Sequence, residues 1–308
     1  MIYVITGATS FIGVELISYL LQCNEKVIAV CRPQSKGLSK IPSCAKIIYS
    51  EMSGYEELHK KIESADIFVN LAWEGTGHDD RDFAKIQKEN IDNTLAAIFS
   101  AKRMGCKVFV ESGSQAEYGI CSSIITEETP CKPFSAYGKA KLEVKNRGFS
   151  LAEELGIKYV HLRIFSVFGE NDHPWTLVMS SLDKMLANNP VELGLCTQNW
   201  NFLYVKDAVK QITRLCDHVL ESKELEHEVY NIASNDTRPL KDFLETMKRL
   251  AHSSSELKYG SIVQKNVVSL FPDITKTARA TSFIREYSFE EVISHMIEKR
   301  KHNYSPIT

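Results

Sequence analysis

Paired cysteines are missing from this chain. Its eight cysteines, at 23, 31, 44, 106, 121, 131, 196 and 216, never stand as Cys-x-x-Cys, and no two histidines at metal spacing accompany them. A disulfide framework and a structural zinc both need such clusters, so the cysteines read as small hydrophobes in a reducing compartment and no metal is expected. No Lys/Arg block stands out either, and 37 basic residues against 39 acidic ones leave the charge near neutral. Nucleic acid is therefore not an expected partner. Nor does any uncharged apolar run reach the roughly 20 residues that span a bilayer. The apolar stretch from Met1 to Leu21 lacks a positive n-region and is broken by Thr6-Gly7-Ala8-Thr9-Ser10 and by Glu15. It reads as strand, turn and helix rather than signal peptide, so a cytoplasmic protein with no membrane contact is expected. Repeats and low-complexity linkers are absent too, which points to one compact unit with a cleft between two lobes.

What is present suffices for a large core: 308 residues, 44% of them apolar. Short β-rich runs at Ile2 to Thr6, Lys26 to Cys31, Lys46 to Tyr49, Ile67 to Leu71, Lys107 to Glu111 and Tyr159 to Arg163 alternate with helical patterns. Continuous apolar strands in βαβ order are those of a parallel sheet covered on both faces. Ile12, Leu16, Ile17, Leu20 and Leu21 share one helical face, as do Leu95, Ile98, Phe99 and Lys102 with its apolar stem, and both stripes read as core. After Gly169 the pattern loosens, with helices near Leu177 to Ala187 and Asp207 to Leu220. Residues 1–168 thus read as a sheet domain and 169–308 mainly as a smaller lobe, with some segments returning to the first.

Thr6-Gly7-Ala8-Thr9-Ser10-Phe11-Ile12-Gly13 lies between the first strand and the first helix, where a dinucleotide pyrophosphate meets backbone amides. Gly7 allows the tight turn and Gly13 a close helix-to-strand approach. The second strand ends at Cys31-Arg32, with no local carboxylate to engage ribose hydroxyls. Arg32 suits a 2′-phosphate, so NADPH is expected over NADH, with NAD the alternative; Arg32 stacked on adenine, in a solvated loop with Ser35 and Lys36, is the blander reading. Farther on, Tyr137 and Lys141 stand four residues apart, on one face of a helix. A free phenol titrates near pH 10, and a neighbouring ammonium stabilises its phenolate and makes it a proton-transfer group.

Four segments in order carry a resemblance: TGATSFIG, Glu111-Ser112-Gly113-Ser114-Gln115-Ala116-Glu117-Tyr118-Gly119, the Tyr137-to-Lys141 pair, and Leu162-Arg163-Ile164-Phe165-Ser166-Val167-Phe168-Gly169. They resemble the TGxxGxxG, SSxxxYG, YxxxK and LRxxNVYG motifs of extended short-chain dehydrogenases/reductases, the NAD(P)-dependent epimerase/dehydratase family. The middle glycine of the first is Ser10, whose hydroxyl is expected to donate to a phosphate oxygen. The resemblance implies an α/β fold, a Rossmann doubly wound parallel sheet with a smaller interleaved C-terminal substrate lobe. It implies catalytic Ser114, Tyr137 and Lys141, with Ser112 a lesser rival to Ser114. It also implies a cofactor site of Gly7, Thr9, Ser10, Phe11, Ile12, Gly13, Arg32, Glu51, Met52, Leu71 and Ala72, joined by Tyr137 and Lys141. A homodimer through the helices of Asn90 to Met104 and Tyr137 to Glu154 is implied as well.

Departures from the pattern narrow the chemistry. Sugar-nucleotide dehydratases place Asp-Glu directly after the catalytic hydroxyl, where Gln115-Ala116 stand here, so dehydration is not expected. Trp200 replaces an arginine of the family's RDFxYVxD segment, and its surroundings resemble reductases of nucleotide-linked 4-keto-6-deoxyhexoses, of the CDP-abequose synthase type. Trp73, Gln115, Ser166, Trp175 and Trp200 are the expected substrate contacts, Trp175 on a loop that either closes over the sugar or is only a surface loop. The expectation is an NADPH-dependent 4-ketoreductase of a nucleotide sugar; a 4-epimerase and a non-catalytic dinucleotide sensor are the alternatives.

Overall fold

A computed structural model gives the fold. It describes residues 1–77, 80–225, 227–263 and 266–304, with side chains through residue 300. The first half runs β1 (Ile2–Thr6), α1 (Phe11–Gln22), β2 (Lys26–Cys31), β3 (Lys46–Tyr49), β4 (Ile67–Asn70), α2 (Ala84–Arg103), β5 (Val108–Ser114), α3 (Ala136–Leu155) and β6 (Lys158–Ile164). Then come β7 (Ser166–Phe168), α4 (Leu177–Leu186), β8 (Val191–Glu192), β9 (Asn199–Tyr204), α5 (Val205–Glu221) and β10 (His227–Ile232). β11 (Thr237–Pro239), α6 (Leu240–Leu250), β12 (Leu257–Lys258), α7 (Thr275–Thr281) and α8 (Phe289–Tyr304) complete the order. Seven parallel strands form the main sheet in the order β10-β6-β5-β4-β1-β2-β3. The winding reverses between β1 and β4, and in such sheets the crevice at the carboxyl ends beside that reversal receives ligands.

Strand alternation loads both faces. Tyr3, Ile5, Ile67 and Val69 pack toward α1 and α5, whereas Val4 and Phe68 pack toward α2 and α3. Ser135 caps α3 by accepting from the Gly138 amide at 3.1 Å, and Gly156, at φ 61°, ends it in the left-handed region that glycine adopts readily. α2, α3 and α5 end on the same side of the sheet. There Lys102 Nζ donates to the Gly156 carbonyl at 3.0 Å, and Lys158 Nζ to that of Val219 at 2.7 Å. A second core gathers Phe168, Phe202, Tyr204, Phe243 and Phe289 around the small sheet β11-β9-β7, while β10 and α5 return to the main sheet. Among the described residues no helix is long and apolar enough to cross a membrane.

Three details differ from expectation. β5 continues three residues past Glu111, because Ser112, Gly113 and Ser114 stay paired with Leu162, Arg163 and Ile164. α2 begins at Ala84, six residues ahead of Asn90. Its core face is Ile91, Thr94, Ala97, Ile98 and Ala101, and Phe99 is 42% exposed rather than buried. Small residues fit against the sheet, and the large ring that a hydrophobicity pattern counts as core faces out. Residues 226, 264, 265 and 305–308 of the expected second lobe lie outside the described residues.

Candidate functional site

At the reversal the Gly-rich turn is pressed against the end of β4. Gly7 has φ +62°, and a Cβ there would stand 2.6 Å from the Leu71 carbonyl carbon and 2.7 Å from the Ala72 nitrogen. A Cβ on Gly13 would meet the Gly7 oxygen at 2.3 Å. Ser10 caps α1: its Oγ accepts from the Gly13 amide at 3.1 Å, which leaves the hydroxyl hydrogen to donate elsewhere. Phe11 and Ile12 head the helix, where amides have no intrahelical acceptor, and no acidic residue stands in the first turn. Thr9 Oγ1 and Ser35 Oγ, 2.7 Å apart, tie the loop after β2 to this turn. Glycines that admit no side chain, open amides and the lack of a carboxylate in the first turn fit a dinucleotide pyrophosphate. Glu51 is exposed, and the Met52 side chain lies in the core with Tyr55 and Leu58.

Arg32 requires a correction. A carboxylate does stand beside it: Glu74 Oε1 lies 3.3 Å from its Nη1, both side chains being about half exposed. Forty-two residues separate the two in the chain, so a local reading of the second strand's end could not see the pair.

The expected proton-transfer residues gather where α3 crosses the end of β5. Lys141 and Tyr137 are 2% and 8% exposed. Lys141 Nζ lies 3.5 Å from the Trp73 ring centroid, and the Trp73 and Tyr137 rings meet edge-on at 6.0 Å. Trp73 is fixed in turn by its Nε1, which donates to Gln87 Oε1 at 2.9 Å. Arg81 covers Tyr137, its guanidinium carbon 4.5 Å from the ring centroid, and its carbonyl accepts from the Tyr137 amide at 3.0 Å. Beneath, Lys141 Nζ donates to the Ser112 carbonyl and, at 3.3 Å, to Glu111 Oε1. Asn70 Nδ2 holds the other carboxylate oxygen at 2.7 Å. Burial pushes the Glu111 carboxyl up to about 7 against the pull of Lys141 and Asn70.

Ser114 ends β5 and opens a short 3₁₀ turn that packs on the start of α3. A Cβ on Gly138 would be 2.6 Å from the Ala116 carbonyl oxygen. The Ser114 Oγ accepts from the Ala116 amide at 3.2 Å, and the Ser114 amide donates to Glu117 Oε1 at 2.8 Å. Glu117 is fully buried and also accepts from Arg163 Nε at 2.9 Å and faces His161 Nε2 at 2.9 Å. Burial raises this carboxyl, but His161, Arg163 and the Ser114 amide outweigh it and hold it down to about 2. Burial lowers His161 against the pull of Glu117. Gly113 lies between them, where a Cβ would be 2.3 Å from His161 Nε2 and 2.7 Å from Glu117 Oε1.

The expected substrate contacts divide. Gln115 and Ser166 are half-buried beside this cluster's strands. Trp200 Nε1 is buried without a hydrogen-bond partner among the described residues, its ring 6.3 Å from Phe202. Trp175 is 70% exposed and stacked on His173 at 4.4 Å, and among the described contacts none joins it to Ser114, Tyr137 or Lys141. No three His, Cys, Asp or Glu side chains gather as a metal site among the described residues.

Residues that sequence reasoning passed over are Glu111, Asn70, Arg81, Glu117 and His161. A carboxylate ending the apolar run Val-Phe-Val, and a histidine inside Tyr-Val-His-Leu, were signals of buried pairing. Arg81, in an irregular loop, carried none.

Known proteins share this fold. The chain is 21% identical to CDP-abequose synthase of Salmonella muenchen across 96% of its own length and 97% of that protein's. It is 24% identical to dTDP-4-dehydro-6-deoxyglucose reductase of Escherichia coli, with coverage of 88% and 89%. Its fold matches a UDP-glucose 4-epimerase structure from Thermotoga maritima at a TM-score of 0.87 and 22% identity, over 99% and 100% of the two chains. The family model described as NAD dependent epimerase/dehydratase matches residues 3–233. With a Gly-rich turn at the sheet's reversal, a Tyr-Lys pair beside the end of β5 and a family match over most of its length, this chain belongs to the NAD dependent epimerase/dehydratase family.

Proposed function

We propose that the protein reduces a nucleotide-linked 4-keto-6-deoxyhexose with NADPH, through Ser114, Tyr137 and Lys141. The observation that carries this reading is the buried Tyr137–Lys141 pair, closed in by Trp73 and Arg81 and set beside the end of β5. Gln115 and Ala116 supply neither the acid nor the base of a dehydratase. Two relatives whose names denote a deoxysugar synthase and a keto-sugar reductase support the reductive direction.

Gly7 to Gly13 would hold the pyrophosphate, Leu71 and Ala72 would line the dinucleotide, and Arg32 would turn from Glu74 to a 2′-phosphate. When bound, reduced nicotinamide supplies the hydride for the carbonyl carbon. Ser114 Oγ donates a hydrogen bond to the carbonyl oxygen and orients it. Tyr137 gives that oxygen its phenolic proton, so the ketone becomes a secondary alcohol and the tyrosine regains a proton from solvent. Lys141 stabilises the charge that develops on Tyr137 as the proton leaves. Trp73 and Arg81 keep water off the ring. We place the working form in the cytoplasm, as a homodimer joined through the outer faces of α2 and α3.

The test is oxidation of NADPH or NADH, followed by absorbance, with CDP-, dTDP-, UDP- and GDP-linked 4-keto-6-deoxyhexoses. Stoichiometric oxidation with one of them is the expected result. A 4-epimerase is the second reading, favoured by the fold match to UDP-glucose 4-epimerase. Sugar isomerisation without added reductant would establish it instead.

A further inference from the structure

We propose that Glu111 is a positioning residue of the reducing site: its carboxylate anchors the Lys141 ammonium and keeps the Lys141–Tyr137 pair protonated. This rests on the reading of Tyr137 and Lys141 given above and adds a group outside the family's motifs.

The argument starts from burial. Glu111 and Lys141 side chains are 0% and 2% exposed, and an ammonium withdrawn from water costs several kcal/mol unless a counter-charge compensates. Around Nζ stand the Ser112 carbonyl, Ser112 Oγ at 3.4 Å, the Trp73 ring and Glu111 Oε1 at 3.3 Å. Of these only Glu111 carries negative charge. The carboxylate is itself fixed by Asn70 Nδ2 at 2.7 Å, and Asn70 is held by Thr6 and Thr94. β1, β4 and α2 thereby set where α3 places Lys141. Other titratable groups facing Glu111 are His161 and Tyr159 on β6, and Glu117 after β5. Burial lowers His161 and pushes Tyr159 well up, and Glu117 is paired with Arg163, which leaves Glu111 as the negative charge beside Lys141.

Removing a negative charge from a coupled buried set lowers the pH at which the set gives up its next proton, whichever member releases it. Reduction needs that proton. In Glu111→Gln the alkaline limb of kcat/KM with NADPH therefore moves down by about one pH unit, an approximately tenfold loss above the wild-type midpoint. Burial holds the Glu111 carboxyl at about 7, so the two profiles run together below that pH and part above it. Glu111→Asp, which keeps the charge, restores most of the wild-type limb.

The experiment measures kcat/KM against pH for wild type, Glu111→Gln, Glu111→Asp and Tyr137→Phe, with thermal melts as folding controls. Activity retained in Tyr137→Phe would sink the catalytic reading itself. An inactive Tyr137→Phe beside a Glu111→Gln profile superimposable on wild type overturns only the role of Glu111. Should Glu111→Gln not fold, Lys141→Met provides the second arm. Its stranded carboxyl takes up a proton, and a protonated-carboxyl infrared band is expected at about pH 8 in this variant and not in wild type. Identical spectra would overturn the proposal.

Discussion

Glu117→Gln removes one charge from the network under Ser114 and keeps the side chain's shape. Three groups lose by it: Arg163 Nε, His161 Nε2 and the Ser114 amide all address the same carboxylate. The carboxyl is held at about 2 rather than 4.5, which at about 1.4 kcal/mol per pH unit corresponds to about 3 kcal/mol of stability. Stranding a buried guanidinium costs a comparable ~3–5 kcal/mol. With 308 residues and about 2.1 cal/mol/K per residue, the unfolding entropy is about 0.6 kcal/mol/K, so the variant should melt about 5 °C below wild type at neutral pH. The sign with pH follows from the depressed carboxyl. Its contribution is complete above 4.5 and disappears as pH falls through about 2, so the gap between wild type and variant narrows across that window. Thermal melts and urea midpoints at about pH 7, 4 and 3 measure it. A variant melting within about 1 °C of wild type, or a gap unchanged in acid, would refute the reasoning.

Arg32→Ala should raise the KM for NADPH about tenfold, the worth of one charge-assisted phosphate contact of about 1.4 kcal/mol, and leave that for NADH nearly unchanged. Steady-state kinetics with both nucleotides decides it, and equal effects on the two would exclude a 2′-phosphate contact. Phe99→Asp places a carboxylate beside Leu95, Arg147 and Leu151 on the outer faces of α2 and α3. Sedimentation should find dimers for wild type and monomers for the variant; a wild-type monomer would remove the α2–α3 interface from consideration.

The sheet was legible from its short β-rich apolar runs: β1, β2 and β3 begin and end where those runs do, even though β3, at the sheet's edge, is exposed at both its ends. The glycine turn marked the start of α1, where the structure adds Ser10 as the helix cap. Legibility fails where a partner comes from far along the chain. The Arg32–Glu74, Glu111–Lys141 and Glu117–His161 contacts span 42, 30 and 44 residues, and no local pattern announces them. Ser112 to Ser114 look like a polar loop, yet ladder bonds to β6 keep them in strand. Trp175 had a large ring in a loop as its signal, and that signal does not distinguish a sugar platform from a ring stacked on His173 in solvent.

The shared ending of α2, α3 and α5 has a bearing on ligand capture. Each helix is a row of aligned peptide dipoles, so the side of the sheet where they end is partly negative, and Lys102 and Lys158 sit on that side bonded to terminal carbonyls. The opposite pole of α1, at Phe11, lies at the Gly-rich turn beside the sheet's reversal, whereas that of α3 is closed, its Ala136 amide donating to Asp82 Oδ1 at 2.9 Å. A molecule with a formal charge of −2 thus presents a locally attractive face to diphosphates. A diphosphate at the turn before α1 would be favoured by the backbone's own orientation, with no basic side chain needed in that turn.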